Sequence, residues 1–364
     1  MPAPLSAVDS VSPAFADARR ILFAPRSFRM WSRMAILGLL TGEFASGGGW
    51  SGGNLQAPRA NDHFSVPLMN LGTIDAILQS LRDDWMWIAI CVLLLIALFF
   101  FAEYLSSVSR FVLLESVITG ECELRRSWKK WKAKGLQYFG WDVGFAICCM
   151  LVLLLLVGLP LWVAIRKMPP SATPNIGALL AAGAVVLLAV VFFLVIAAVI
   201  DLLARDFLVP IMAVENRGVW SAWQRLLPML AAEKLAYTGY ILMKAVLAVG
   251  SAIFFGIIDL IALLFLLIPL GLIGLLAYLG LRGANPSWNF VTVSVTVILA
   301  GLVIALIMWM FAFLYSPALV FFQSYALRFL ASRLPSLSAE MNSAVSASAP
   351  PMSPPMPPQA APSI

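Results

Sequence analysis

The strongest constraint on this chain is a succession of apolar runs near the length that crosses a bilayer. The clearest is Trp85–Leu105, WMWIAICVLLLIALFFFAEYL, with tryptophans at one end and Tyr104 at the other. About 20 mainly apolar residues span the hydrocarbon core as a helix, and aromatic side chains gather at its two interfaces. A water-soluble chain of this size still needs a polar coat. Here 62% of residues are hydrophobic and only 12% are charged. The sequence therefore predicts an all-α fold, a polytopic transmembrane helix bundle. The net charge of +6 follows from Arg and Lys beside spans and calls for no nucleic acid. Cys91, Cys122, Cys148 and Cys149 read as reduced, small apolar residues rather than a disulfide framework.

In chain order, residues 1–28 read as a basic leader and 29–46 as a short first span. A secretory signal peptide is the other reading of this start, but the leader is long and Glu43 falls where a cleavage site wants small residues. Further spans are expected at 85–105, 141–165, 176–200, 237–267 and 290–314. A helix over Lys234–Leu281 would be roughly 70 Å long, more than twice a bilayer core. A break is therefore expected at Ile268-Pro269-Leu270-Gly271, leaving 270–281 re-entrant; a turn near Gly256 would instead make two full spans. Six crossings follow, or seven with that hairpin. Residues 335–364, rich in Pro and small residues, read as a disordered tail. Lys and Arg are dense in the leader and in the 107–139 loop, and Arg328 and Arg333 follow the last span. By the positive-inside rule, both termini lie in the cytoplasm.

The most basic stretch is ELRRSWKKWKAKG, Glu123–Gly135. At helical spacing Leu124, Trp128 and Trp131 share a face, while Arg125, Arg126, Lys129, Lys130 and Lys132 spread over the rest. Such a helix, 120–134, is expected in the headgroup plane with its indoles at the apolar boundary and its charges on anionic lipid. Setting the topology alone would ask for no tryptophans. Helices 216–230, with Trp220 and Trp223, and 319–334 are expected to lie alike.

The sequence also resembles itself. KGLQYFGW (134–141) resembles EKLAYTGY (233–240), and Arg110-Phe111 resembles Asp206-Phe207. FLVPIMAVE…RLLPML, around Pro210 and Pro228, recurs as LYSPALVFF…SRLPSL around Pro317 and Pro335. These read as parallel internal repeats, unless apolar sequence is matching itself by chance.

LFAPRSFRMWSRMAILGLL, followed by glycines, and DFLVPIMAVENRGVWSAWQRLL resemble a group of uncharacterised bacterial membrane proteins. A similar pattern occurs in the membrane region attached to some bacterial glycerophosphodiester phosphodiesterases. The resemblance covers most of residues 20–334. It implies a helical protein of the bacterial inner membrane and supplies no activity. The His and Glu metal sites of the soluble phosphodiesterase domain find no counterpart in a chain with 1 histidine.

Chemistry is sparse. His63 beside Asp62 is far from a ligand set, and neither a GxSxG turn nor a P-loop occurs. No catalytic residue, metal or cofactor is expected. Ionisable residues within spans are functional candidates by default, and Lys244 and Asp259 lie deepest. The reading is a non-enzymatic scaffold or lipid-interacting module. Its partners are membrane lipids, anionic ones first, with a second copy or another membrane protein beside them. The alternative is a transporter or permease-like bundle using Asp259 or Lys244 at broken helices.

Overall fold

The structure, a computed structural model, describes residues 4–23, 27–42, 85–167, 176–282 and 290–348. Every regular element among them is helical. In order these are α1 (Val11–Leu22), α2 (Ser27–Thr41), α3 (Trp85–Thr119), α4 (Leu124–Lys167) and α5 (Ile176–Leu203). A π-helical segment (Ala204–Leu208) follows, then α6 (Val209–Val214), α7 (Val219–Ala232), α8 (Lys234–Arg282), α9 (Phe290–Ala331) and α10 (Pro335–Ser348). Five helical stretches are long and apolar enough to cross a membrane, namely α3, α4, α5 with its extension through α6, α8 and α9. This is a helical membrane protein. At 1.5 Å per residue α2 reaches about 22 Å, short of a bilayer core, and is not among them. Residues 43–46 of the expected first span lie outside the described residues.

The spans contribute almost nothing to the core. In the most apolar window of three of them 0% of residues are buried, and in the other two 6%. Leu93, Leu154, Leu187, Phe265 and Val297 are 64–73% exposed. The core lies instead at one end, where the helices outrun their apolar stretches. Phe111 and Leu114 of α3, Tyr138 of α4, Phe207 and Leu208 of the π segment, Tyr240 of α8 and Phe329 of α9 are all buried there.

The lower half of α9 is the hub. α1 and α2 pack against it, α2 also packs along α3, and α3 pairs with α4. Arg33 of α2 donates to the carbonyl of Cys122, while Ser106 donates to the carbonyl of Thr41; α2 thus runs antiparallel to α3. Two bidentate or buried ion pairs pin the ends. Arg328 reaches Asp17 of α1 at 2.5 and 2.8 Å, and Arg333 reaches Glu233 at 2.8 Å. Helices α2 and α3 both stop at a glycine with φ +69°, Gly42 and Gly120, a backbone state that costs other residues steric strain.

Several expectations are corrected. α8 is unbroken from 234 to 282, so Gly256, Pro269 and 270–281 all lie within one helix, and neither hairpin nor re-entrant segment forms. Its excess length is taken up by the core, which claims Tyr237, Tyr240 and the side of Leu247, and proline is tolerated within a membrane helix. Residues 120–134 do not form a separate helix, because α4 continues from Leu124 straight into its span. Residues 319–334 are not a surface helix: Val320, Tyr325, Ala326, Leu327 and Leu330 are 0% exposed, as befits the hub. The leader holds α1, packed through Ala14 and Ala18, and the tail holds α10, packed through Leu337; residues 349–364 lie outside the described residues.

One close approach sets the α3–α4 spacing. A Cβ on Gly135 would lie 2.5 Å from Val108 Cγ2 and 2.8 Å from Val108 Cα, whereas one on Gly140 meets nothing within 4 Å. Alanine normally favours a helix over glycine by about 1 kcal/mol. Gly135→Ala should nevertheless destabilise the protein by about 1–3 kcal/mol through overpacking, while Gly140→Ala should be neutral or slightly stabilising. Thermal unfolding of the two variants in detergent checks the opposite signs.

Candidate functional site

The basic stretch opens α4 and lies along α3. Trp131 stacks on Phe111 with centroids 5.7 Å apart and 22° between planes, and its Nε1–H donates to Glu115 Oε2 at 2.7 Å. Lys130 Nζ donates to Glu115 Oε1 at 2.6 Å and sits 4.6 Å from the Trp131 ring centre. Trp128 meets Tyr104 edge-on at 6.3 Å. Both indoles therefore turn toward α3, although the sequence alone suggested that they face lipid. The reason lies outside the basic stretch: α3 supplies aromatic faces and a carboxylate that accepts the indole N–H.

Charge is what remains outside. Arg125, Arg126, Lys129 and Lys132 are exposed. Arg126 approaches Glu123 at 3.7 Å; the other three have no ion-pair or hydrogen-bond partner among the described residues. Arg125, Arg126 and Lys129, with Arg33 and Glu123, border an open depression of about 600 Å³. Lys134 does different work. Its Nζ donates to the carbonyls of Asn216 and Arg217 at 3.0 and 2.8 Å, holding the turn between α6 and α7 in which Asn216 adopts φ 49°.

That turn orients α7, which carries the other two tryptophans expected at the interface. Trp220 is 73% exposed and shares a face, two helical turns on, with exposed Leu227. Trp223 is half-buried against Trp141, 5.8 Å between centroids. Leu235 at the start of α8 is also exposed. Arg217 and Arg225 flank this apolar edge, both directed at Glu215, at 2.6 and 3.7 Å.

The two membrane candidates are kept apart. Lys244 Nζ binds both carboxylate oxygens of Asp206, at 2.7 and 2.6 Å, and Tyr240 donates its hydroxyl to the same carboxylate at 2.8 Å. Asp259 lies 15 residues further along the continuous α8, about 22 Å away. It is 7% exposed, and neither of its oxygens has a hydrogen-bond partner among the described residues. Asp206 and Glu115 were missed as site residues. For Glu115 a signal existed: Phe111 and Glu115 stand at i and i+4, facing the same neighbour.

Cys122 is buried at the α3–α4 turn, and burial pushes its thiol pKa up, against a hydrogen bond with Ser116 and the charge of Arg33. All four cysteines are free. His63 lies outside the described residues, and among the described residues no group of three or more His, Cys, Asp or Glu could hold a metal.

The model of a family of unknown function (DUF7544) matches residues 5–339, and the chain belongs to that family. No curated protein and no solved structure matches it.

Exposure divides the tryptophans, and spin labels can test the division. With the protein in liposomes, a label on a cysteine replacing Trp220 should respond to lipid-soluble oxygen. A label on a cysteine replacing Trp128 should be immobilised and respond to neither oxygen nor an aqueous relaxant.

Proposed function

We propose that this member of a family of unknown function is a non-enzymatic membrane protein, a scaffold or lipid-interacting module. In this reading it holds the anionic cytoplasmic leaflet through the outward face of α4 and the apolar edge of α7. The observation that carries the reading is the division at α4: indoles anchored inward, with Arg125, Lys129 and Lys132 left outward and unpaired. Each basic residue near an anionic leaflet contributes about 1 kcal/mol. Three on a face held in place by α3 act together, without ordering a loose helix first.

The same reading places the packed end in the cytoplasm of a bacterium, at its inner membrane. Nearly all Arg and Lys of the described residues gather there, as the positive-inside rule asks. In this reading six crossings remain the preferred count, the five apolar helices and one before α3. Matched contacts support the repeat. Phe111 meets Tyr138 edge-on at 80°, and Phe207 meets Tyr237 edge-on at 87°, at the positions that align in sequence. A second copy or another membrane protein would dock on the exposed spans.

Spin-labelled lipids test the central claim on the whole protein. In bilayers, the immobilised fraction of labelled phosphatidylglycerol should exceed that of phosphatidylcholine several-fold at low salt. Replacing Arg125, Lys129 and Lys132 by Gln should remove most of the excess. Equal fractions for both lipids would sink the reading.

Asp259 favours the alternative, a transporter or permease-like bundle. A carboxyl within a span costs about 2.5–3.5 kcal/mol on insertion scales, and here neither oxygen is hydrogen-bonded among the described residues. Asp259→Asn, reconstituted in vesicles, should then abolish a proton-coupled flux. A flux that survives the substitution removes this residue from the path.

A further inference from the structure

A half-open cavity of about 330 Å³ lies where the apolar spans meet the packed end, lined by α5, the π segment, α8 and α9. Its level is fixed by sequence. Asp201 is the first charged residue of α5, and Lys244 is the first on α8 after Lys234. Above them both helices are apolar for several turns. Its polar wall is Asp201, Arg205, Asp206 and Lys244, two cations and two anions that sum to zero.

The four charges are paired but not used up. Arg205 forks onto Asp201, Nε to Oδ1 at 2.9 Å and Nη2 to Oδ2 at 2.5 Å. That leaves three of its five N–H donors. Lys244 spends two of three on Asp206. Asp206 accepts three hydrogen bonds, two from Lys244 and one from Tyr240, whereas Asp201 accepts only from Arg205 among the described residues and keeps more of its lone pairs spare. The site therefore offers donors for an anionic group and, beside them, an acceptor for an ammonium. The π segment sets this up: such segments are rare and recur at functional sites, and this one carries Arg205 and Asp206 side by side, each bonded to a different helix turn.

The remaining wall is apolar and roomy. Ala198, Ala245 and Ala248 leave the space that larger residues would fill, and Tyr315 and Phe322 close the far side. α5 packs beside α4, and α8 beside α9. Val191 and Leu194, on the α5 face above Ala198, are each 48% exposed. A molecule with a charged head in the cavity thus has an apolar surface on which to lay a chain.

The geometry points to a binding site for a zwitterionic glycerophospholipid with a primary amine, its phosphate on Arg205 and Lys244 and its ammonium on Asp201. A primary ammonium brings three N–H donors to a carboxylate; a quaternary one brings none. A purely anionic headgroup would meet the two carboxylates without an answering charge. The site is separate from the basic face of α4 and does not depend on it.

Native mass spectrometry of the full-length protein, purified in non-ionic detergent and titrated with phosphatidylethanolamine, phosphatidylcholine or phosphatidylglycerol, tests this. Retention of phosphatidylethanolamine should persist to roughly tenfold lower lipid concentration than that of the other two, the worth of one charge-assisted hydrogen bond. Ala248→Phe fills the cavity without touching the ion pairs and should remove that preference. The Gln substitutions at Arg125, Lys129 and Lys132 should leave it intact. Equal retention of the three lipids, or a preference for phosphatidylglycerol, overturns the assignment, as does an undiminished preference in folded Ala248→Phe protein. The comparison among lipids on the unaltered protein needs no variant, so it decides the matter even if Ala248→Phe fails to fold.

Discussion

Phe207 of the π segment, Tyr237 and Tyr240 of α8, and Tyr325 and Phe329 of α9 form one contiguous set of rings, with centroids 4.7–5.8 Å apart. Much else follows from this set, because lipid gives apolar spans no hydrophobic reason to associate. Aromatic pairs add about 0.5–1.5 kcal/mol each beyond the area they bury. The Asp206 carboxylate beside them is held by Lys244 and Tyr240. Removing one partner from a buried ion pair costs about 3–5 kcal/mol, so the ring set and the ion pair stand or fall together. Three helices that barely touch within their apolar windows are thereby fixed at one end.

That arrangement explains why the helices are so long. Inside a bilayer each backbone N–H and C=O must be satisfied within its own helix, and a break is tolerated only where protein or water meets the freed groups. The spans above the core are exposed on most sides, so little protein is at hand to satisfy a break at Pro160, Pro269 or the middle of α8. The helix continues instead, and α8 runs for 49 residues. The breaks occur where the packed end can absorb them: at Gly120, at the π segment, and at the turn around Asn216 that Lys134 holds with its ammonium. Irregular backbone and polar side chains share the same level of the molecule for this reason.

The sequence showed the class of the fold plainly, because apolar runs of bilayer length admit few solutions. It showed the core poorly. The segment 319–334 read as an interfacial helix from its place in the internal repeat, yet most of it is buried in the core. The surface that covers it comes from α1 and α2, at the opposite end of the chain. The basic stretch erred in a similar way: spacing put Leu124, Trp128 and Trp131 on one face, and the structure keeps Trp128 and Trp131 together against α3. Periodicity identifies a face; it does not say whether lipid or protein covers it. Lys244 illustrates the converse. Depth within an apolar run marked it as unusual, and its partner Asp206 could be found only once two helices were placed side by side.

The outward face of α4 and the cavity beside Lys244 represent two electrostatic regimes on one molecule. Arg125, Lys129 and Lys132 stand in solvent, where salt at physiological strength screens charges over about 8 Å, so any pull they exert on a leaflet fades beyond that distance and is sensitive to ionic strength. The cavity charges are partly enclosed, Lys244 at 20% and Asp206 at 8% side-chain exposure, and they cancel in sum. Such a group exerts little field at a distance and acts only on what enters. A net positive face draws in a leaflet without choosing among its anionic lipids. A neutral wall with spare donors and acceptors can choose by geometry, because a ligand gains there only if it supplies both an acceptor and a donor at the right separation. On the two proposals, attraction to a leaflet and selection within it rest on different residues, and a change in one leaves the other physically intact.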